Sequence, residues 1–132
     1  MFSHIFIGVT DFRRAHAFYA PLMEALGLRQ RFFDPDHTWA AWQQKTGGRP
    51  LFIIGRPFDG APHASGNGQM TAFMAKDCAT VDRVHQLAID QGGANEGSPG
   101  MRPHYHTNYY GAYFRDLDGN KLCVVCHDAP AL

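Results

Sequence analysis

Residues 11–27 read Asp-Phe-Arg-Arg-Ala-His-Ala-Phe-Tyr-Ala-Pro-Leu-Met-Glu-Ala-Leu-Gly, and their periodicity decides the fold. Phe12, Ala15, Phe18, Tyr19, Leu22, Met23 and Leu26 recur at helical spacing, which gives the segment one apolar face. Asp11 has the side chain of an N-cap and Gly27 that of a C-terminal stop. Pro21 lies inside the run, and its missing backbone donor predicts a kink or a second helical segment there. Working outward, Ser3–Val9 upstream is apolar and β-branched, as a strand would be. Downstream, Leu28–Phe33, Thr38–Gln43 and Leu51–Gly55 read as three more strands, divided by Asp34-Pro35-Asp36 and Thr46-Gly47-Gly48. The order is β-α-β-β-β.

After a Gly- and Pro-rich linker at 56–68 the pattern restarts. Met70–Ala75 reads as a strand, and Asp77 opens a helix carrying Val81, Val84, Leu87, Ala88 and Gln91, ended by Gly92-Gly93. A shift of 66, half of the 132 residues, lays Asp11 on Asp77, Gly27 on Gly93 and His4 on Met70. Tyr109–Arg115 and Asn120–Cys126 read as strands joined at Asp116-Leu117-Asp118-Gly119, a hairpin signal. There Leu51 matches Leu122 at a shift of 71, so the second half has gained about five residues, placed in the loop or irregular strand Gly97–Asn108. The chain is therefore expected to be a single domain over 1–132, with modules at 1–55 and 69–132.

Twelve Lys and Arg balance twelve Asp and Glu, and the absence of a basic field argues against nucleic acid and anionic membrane surfaces as partners. The 45% of apolar residues suit a packed core, and no apolar run approaches the ~20 residues that span a bilayer. The start of the chain lacks the pattern of a secretory leader, and three cysteines are too few for a disulfide framework. Both predict a cytoplasmic protein.

Two β-α-β-β-β modules, opening on His4-Ile5-Phe6-Ile7-Gly8-Val9-Thr10-Asp11 and closing on Arg115-Asp116-Leu117-Asp118-Gly119-Asn120-Lys121-Leu122, resemble the vicinal oxygen chelate superfamily. That superfamily includes glyoxalase I, extradiol dioxygenases and the bleomycin and fosfomycin resistance proteins. Gly66-Asn67-Gly68, the stretch 96–103 and Tyr109–Tyr113 resemble a glyoxalase-like bacterial branch. The resemblance implies an α+β fold of tandem modules, with curled mixed sheets around a cup, helices outside, and a homodimer. It also implies metal ligands, typically two His and two Glu, on the first and last strands of each module. Of those positions only His4 keeps its ligand. Met70 replaces the second histidine, Cys123 the last glutamate, and Leu51–Gly55 carries no acid. No metal or other cofactor is expected, because an oxygen-seeking divalent ion finds no carboxylate at these places. A soft set of His4, Met70 and Cys123 around Cu(I) is the alternative, weighed against an apolar floor.

Cys123-Val124-Val125-Cys126-His127 has the spacing of c-type haem attachment, but on a strand Cys123 and Cys126 face opposite ways. Cys126 should then point toward the helix. Trp39 and Trp42 should likewise face opposite sides. Arg102, His104, Tyr105, His106, Asn108, Tyr109 and Tyr110 form the richest cluster, able to bind a carboxylate or enediolate-like group and move a proton. His104 and His106 are the candidate catalytic residues. His4, Trp39, Met70, Arg102, Tyr105, Tyr109, Tyr113 and Cys123 are the candidate substrate-binding set. The alternative is that the loop aromatics fill a rim or a dimer contact. His16 and His85 are read as surface or partly covered helix residues, and His37 and His63 as solvated loop residues.

The leading functional expectation is a glyoxalase-like enzyme of the lyase or dioxygenase type, or an enzyme homologue with a degraded metal site, binding a small metabolite. One alternative is a non-catalytic binding protein that sequesters its ligand. Another is a metalloenzyme with displaced ligands, such as His4 with loop histidines.

Overall fold

Asp11 and Asp77 each convert an extended strand into a helix. The carboxylate of Asp11 accepts from the Arg14 backbone N–H at 3.1 Å, and that of Asp77 from Thr80 N at 2.8 Å and Thr80 Oγ1 at 2.6 Å. The two backbone bonds satisfy N–H donors that the first helical turn leaves without partners. The computed structural model describes residues 1–130, and the chain divides into two units, Met1–Ser65 and one beginning at Gly66.

The first unit runs β1 (His4–Gly8), α1 (Phe12–Ala25), β2 (Leu28–Asp34), β3 (Trp39–Gln44) and β4 (Leu51–Gly55). The second runs β5 (Thr71–Met74), α2 (Cys78–Asp90), β6 (Ala94–Met101), β7 (Tyr110–Arg115) and β8 (Lys121–Cys126). Their sheets have the same topology, β1-β4-β3-β2 and β5-β8-β7-β6. In each, first and last strands pair in parallel and the other pairs are antiparallel. β4 is apolar throughout because it lies inside its sheet, flanked by β1 and β3, and all five of its residues are buried.

Register fixes which side chains share a face. Trp42 stands opposite Phe52, and their rings meet His16 and Tyr19 of α1. His4, Phe6, Trp39, Ala41, Leu51 and Ile53 therefore occupy the face turned away from α1. In the second unit Phe114 stands opposite Leu122 and packs against His85 of α2, so Tyr113 and its partner Cys123 lie on the face away from α2. The opposed faces of Trp39 and Trp42, and of Cys123 and Cys126, thus follow the strand alternation. Phe18, Tyr19, Leu22 and Met23 of α1 are at most 1% exposed.

Several sequence expectations change. α1 continues through Pro21 as one element, because the rest of its apolar stripe still packs on the sheet. Of the two readings of Gly97–Asn108, the irregular strand holds as far as Met101, in a strand that begins at Ala94 and whose pairing with β7 bulges interrupt. Met70 falls one residue before β5. His85 is 7% exposed rather than superficial, since its ring joins the α2 face in contact with Phe114 and bonds Asn95. His63 is half-buried, its ring lying over Gly8. The terminal strands match at a shift of 70, not 71, because Phe52 and Leu122 both face their helices whereas Leu51 faces away. A slip of one residue would exchange the two faces.

Candidate functional site

Tyr109 precedes β7, and Gly111 and Tyr113 follow it on the same face by alternation. A Cβ on Gly111 would come within 2.8 Å of the Tyr109 ring, so the ring holds this place only because that carbon is missing. Gly97 does the same for Tyr113 and Arg102, at 2.9 and 3.3 Å. Gly100 accommodates the other end of the guanidinium at 3.0 Å. The glycines of β6 and β7 thus make a bed for two phenols and a cation.

On that bed the Tyr109 hydroxyl is 2.8 Å from the Tyr113 hydroxyl and 3.6 Å from Cys123 Sγ. Arg102 donates through Nη2 to the Ser98 carbonyl at 2.8 Å, and its guanidinium carbon sits 5.6 Å from the Tyr113 ring centre. Lys121 Nζ is 5.8 Å from the same centre. Burial pushes the Tyr109 phenol well up, reinforced by its bonds to Tyr113 and Cys123. Burial also raises the Tyr113 phenol and the Cys123 thiol. All three are held neutral at physiological pH, as hydrogen-bonding groups rather than nucleophiles.

Tyr105 and the imidazole of His106 pack on the Tyr109 ring, at 4.9 and 5.5 Å between centres, and His104 packs on Tyr105 at 4.3 Å. His106 Nδ1 accepts from the Asn108 backbone N–H at 3.1 Å, which leaves the hydrogen of the neutral ring on Nε2. That Nε2–H donates to His127 Nδ1 at 2.9 Å, which leaves the other ring nitrogen of His127, Nε2, to carry its N–H. Of the sequence candidates, Tyr105, His106, Tyr113 and Cys123 meet Tyr109, with His104 against Tyr105 and Arg102 against Tyr113.

His4 and Trp39 belong to the first unit, where they line an open cavity of about 620 Å³ with Phe6, Arg56 and Phe58. His4 Nδ1 is 2.9 Å from Ser3 Oγ. Met70 is 47% exposed. Sequence reasoning missed Lys121 and His127. The hairpin signal held both: the pairing of Tyr110 with Cys126 carries His127 toward the residues before β7.

Two positions where the resemblance implies carboxylate ligands carry none. Ile53 occupies in β4 the face position that Cys123 occupies in β8. Cys123 is bonded by a phenol and pushed away from the thiolate that metals require. Among the described residues no three His, Cys, Asp or Glu side chains converge.

The family model of the Glyoxalase/Bleomycin resistance protein/Dioxygenase superfamily matches residues 1–124, and the chain belongs to that superfamily. A crystal structure of a glyoxalase/bleomycin resistance protein from Albidiferax ferrireducens T118 is 33% identical, with a TM-score of 0.81 over 96% of this chain and 98% of that one. Lactoylglutathione lyase from Agrobacterium tumefaciens shares the fold at 22% identity, with a TM-score of 0.62 over 96% and 92% of the two chains. No curated protein matches the chain.

Proposed function

We propose that this protein captures a small organic anion without a bound metal, as an enzyme homologue whose metal site has been lost. The observation that carries the reading is the Arg102 guanidinium, tied to the Ser98 carbonyl and laid beside the Tyr113 ring. A cation so held loses little freedom on meeting a carboxylate. The neutral hydroxyls of Tyr109 and Tyr113 offer donors to the same anion, and Lys121 adds a second charge. With the phenols and thiol of this bed held neutral, recognition is favoured there over proton abstraction.

The test is calorimetric titration with a panel of 2-oxo and 2-hydroxy carboxylates and their methyl esters, with metal analysis of the dialysed protein. At least one acid should bind, its ester should not, and Arg102→Gln should abolish the binding. Equal binding of acid and ester, or stoichiometric metal surviving dialysis, would overturn the reading.

A second reading, an acid-base enzyme, is favoured by the His106–His127 bond. Turnover of a bound acid that disappears in both His106→Ala and His127→Ala would select it. The histidines would then act as a relay, with His104 beside it. A cytoplasmic setting and a homodimer belong to the same proposal, supported by three free cysteines and by the open edge strands of the two sheets. No helix among the described residues is long and apolar enough to cross a membrane.

A further inference from the structure

The first unit presents large apolar side chains to solvent where a sheet face would ordinarily be covered. Phe6 is 47% exposed, Trp39 40% and Phe58 fully exposed, and all three line the 620 Å³ cavity. Isolated exposed aromatics need no explanation, but three around one cavity with a cation mark a binding surface.

The cavity is built rather than incidental. Gly55 has no Cβ, and the Phe6 ring lies 2.9 Å from where one would be, with Trp39 Cβ at 3.1 Å. Arg56 follows directly. Its backbone N–H donates to the Thr38 carbonyl at 3.2 Å, and its Nη2 donates to the Gly60 carbonyl at 3.0 Å. A Pro57–Gly60 turn, closed by Gly60 N–H on the Pro57 carbonyl at 2.9 Å, carries Phe58 outward. Thr38 adopts φ 54°, a left-handed conformation that a β-branched residue takes only when its surroundings impose it. Strain of this kind gathers at ligand clamps, and here it sits between His37 and Trp39 at the cavity wall.

The chemistry of the lining selects the ligand. A flat ring matches the exposed indole of Trp39. The guanidinium of Arg56 is permanently charged and uses one of its five N–H groups on Gly60, so it selects an anion and offers a planar fork to a carboxylate. His37 is 2.8 Å from Asp34, and that acid balances any charge on the imidazole, so Arg56 is the permanent cation among the residues that line the cavity.

We propose that this groove binds a flat aromatic monocarboxylate, its ring laid on Trp39 and its carboxylate on Arg56. The inference stands on residues of the first unit alone and does not depend on the anion bed of the second.

The structure supplies its own reporter, since Trp39 is open to solvent whereas Trp42 is 3% exposed and packed on α1. The full-length protein is titrated with 4-nitrobenzoate, a quencher of tryptophan fluorescence, and with uncharged 4-nitrobenzamide. Saturable quenching by the acid is expected, with the amide weaker by about tenfold or more, the scale of a lost charge-assisted hydrogen bond. Arg56→Gln should bring the acid to the level of the amide, and Arg56→Lys should restore part of the difference. Trp39→Ala should lose the saturable quenching and, by calorimetry, the binding itself. Both residues are exposed, so circular dichroism of each variant should match the parent. Quenching that rises without saturation, an amide that binds as well as the acid, or unchanged affinity in Arg56→Gln or Trp39→Ala would each overturn the proposal.

Discussion

The hydroxyl of Tyr109 meets that of Tyr113 at 2.8 Å while reaching toward Cys123 Sγ at 3.6 Å, so one phenol joins two strands of the sheet face that α2 leaves uncovered. Burial makes ionisation of either phenol unfavourable. A phenol raised in the fold contributes its full stability below the ordinary value near 10, and loses it as pH climbs toward the folded value. Thermal unfolding followed from neutral to strongly alkaline pH should therefore show the midpoint falling above pH ~10. Tyr109→Phe and Tyr113→Phe should each flatten that fall.

Tyr110 provides an internal comparison on the opposite face. Its hydroxyl donates to Asp82 Oδ1 at 2.6 Å, and that bond, with burial, pushes the phenol up to about 12. Ultraviolet titration should show a tyrosinate component at that pH, missing from Tyr110→Phe and shifted down in Asp82→Asn.

The thiols should divide by position. Cys123 and Cys126 are at most 1% exposed, whereas Cys78 is half-buried. Burial raises the thiols of Cys78 and Cys123 and slows their alkylation. Mass spectrometry after brief iodoacetamide treatment should find label on Cys78 alone, and on all three cysteines in denaturant.

Asn95 secures the irregular strand β6 to α2. Its Oδ1 accepts from the Gly97 backbone N–H at 3.0 Å and pairs with His85 Nε2 at 3.0 Å, which fixes the imidazole hydrogen on that nitrogen. Asn95→Ala leaves a buried imidazole donor unmatched and should cost about 1–3 kcal/mol in chemical denaturation.

The glycine bed can be tested without touching any side chain on it. Gly111→Ala sets a methyl group against the Tyr109 ring, which must tilt away. The expected outcome is a cooperatively folded protein with binding of the carboxylate panel weakened severalfold, read by calorimetry beside circular dichroism.

The fold was legible wherever side chains kept a strict period. α1 and α2 were marked by an Asp cap and an apolar stripe, and β4 by five consecutive residues that suit a strand inside a sheet. β6 was legible only in part, as an irregular strand from Gly97, because Ala94–Met101 forms its strand through pairing with β7, which no local pattern records. The candidate site divided in the same way. Arg102, Tyr109 and Tyr113 were visible as a dense run, but their common face depended on register. His127 lies 21 residues from its partner His106 and came within reach only once the hairpin was paired. The buried position of His85 depended on which way α2 is turned, a matter of packing rather than spacing.

The places where the sheets lack a β-carbon have a consequence for how such a protein can change. A Gly codon becomes an Ala codon by one base substitution, and at Gly55, Gly97 or Gly111 the added methyl would enter space now held by an aromatic ring. Recognition is therefore open to weakening by a step that alters no ligand-contacting residue and leaves the chain foldable. Among descendants of a common ancestor, persistence of these glycines would record selection for an occupant, and their drift to alanine would mark lineages in which that occupant no longer mattered.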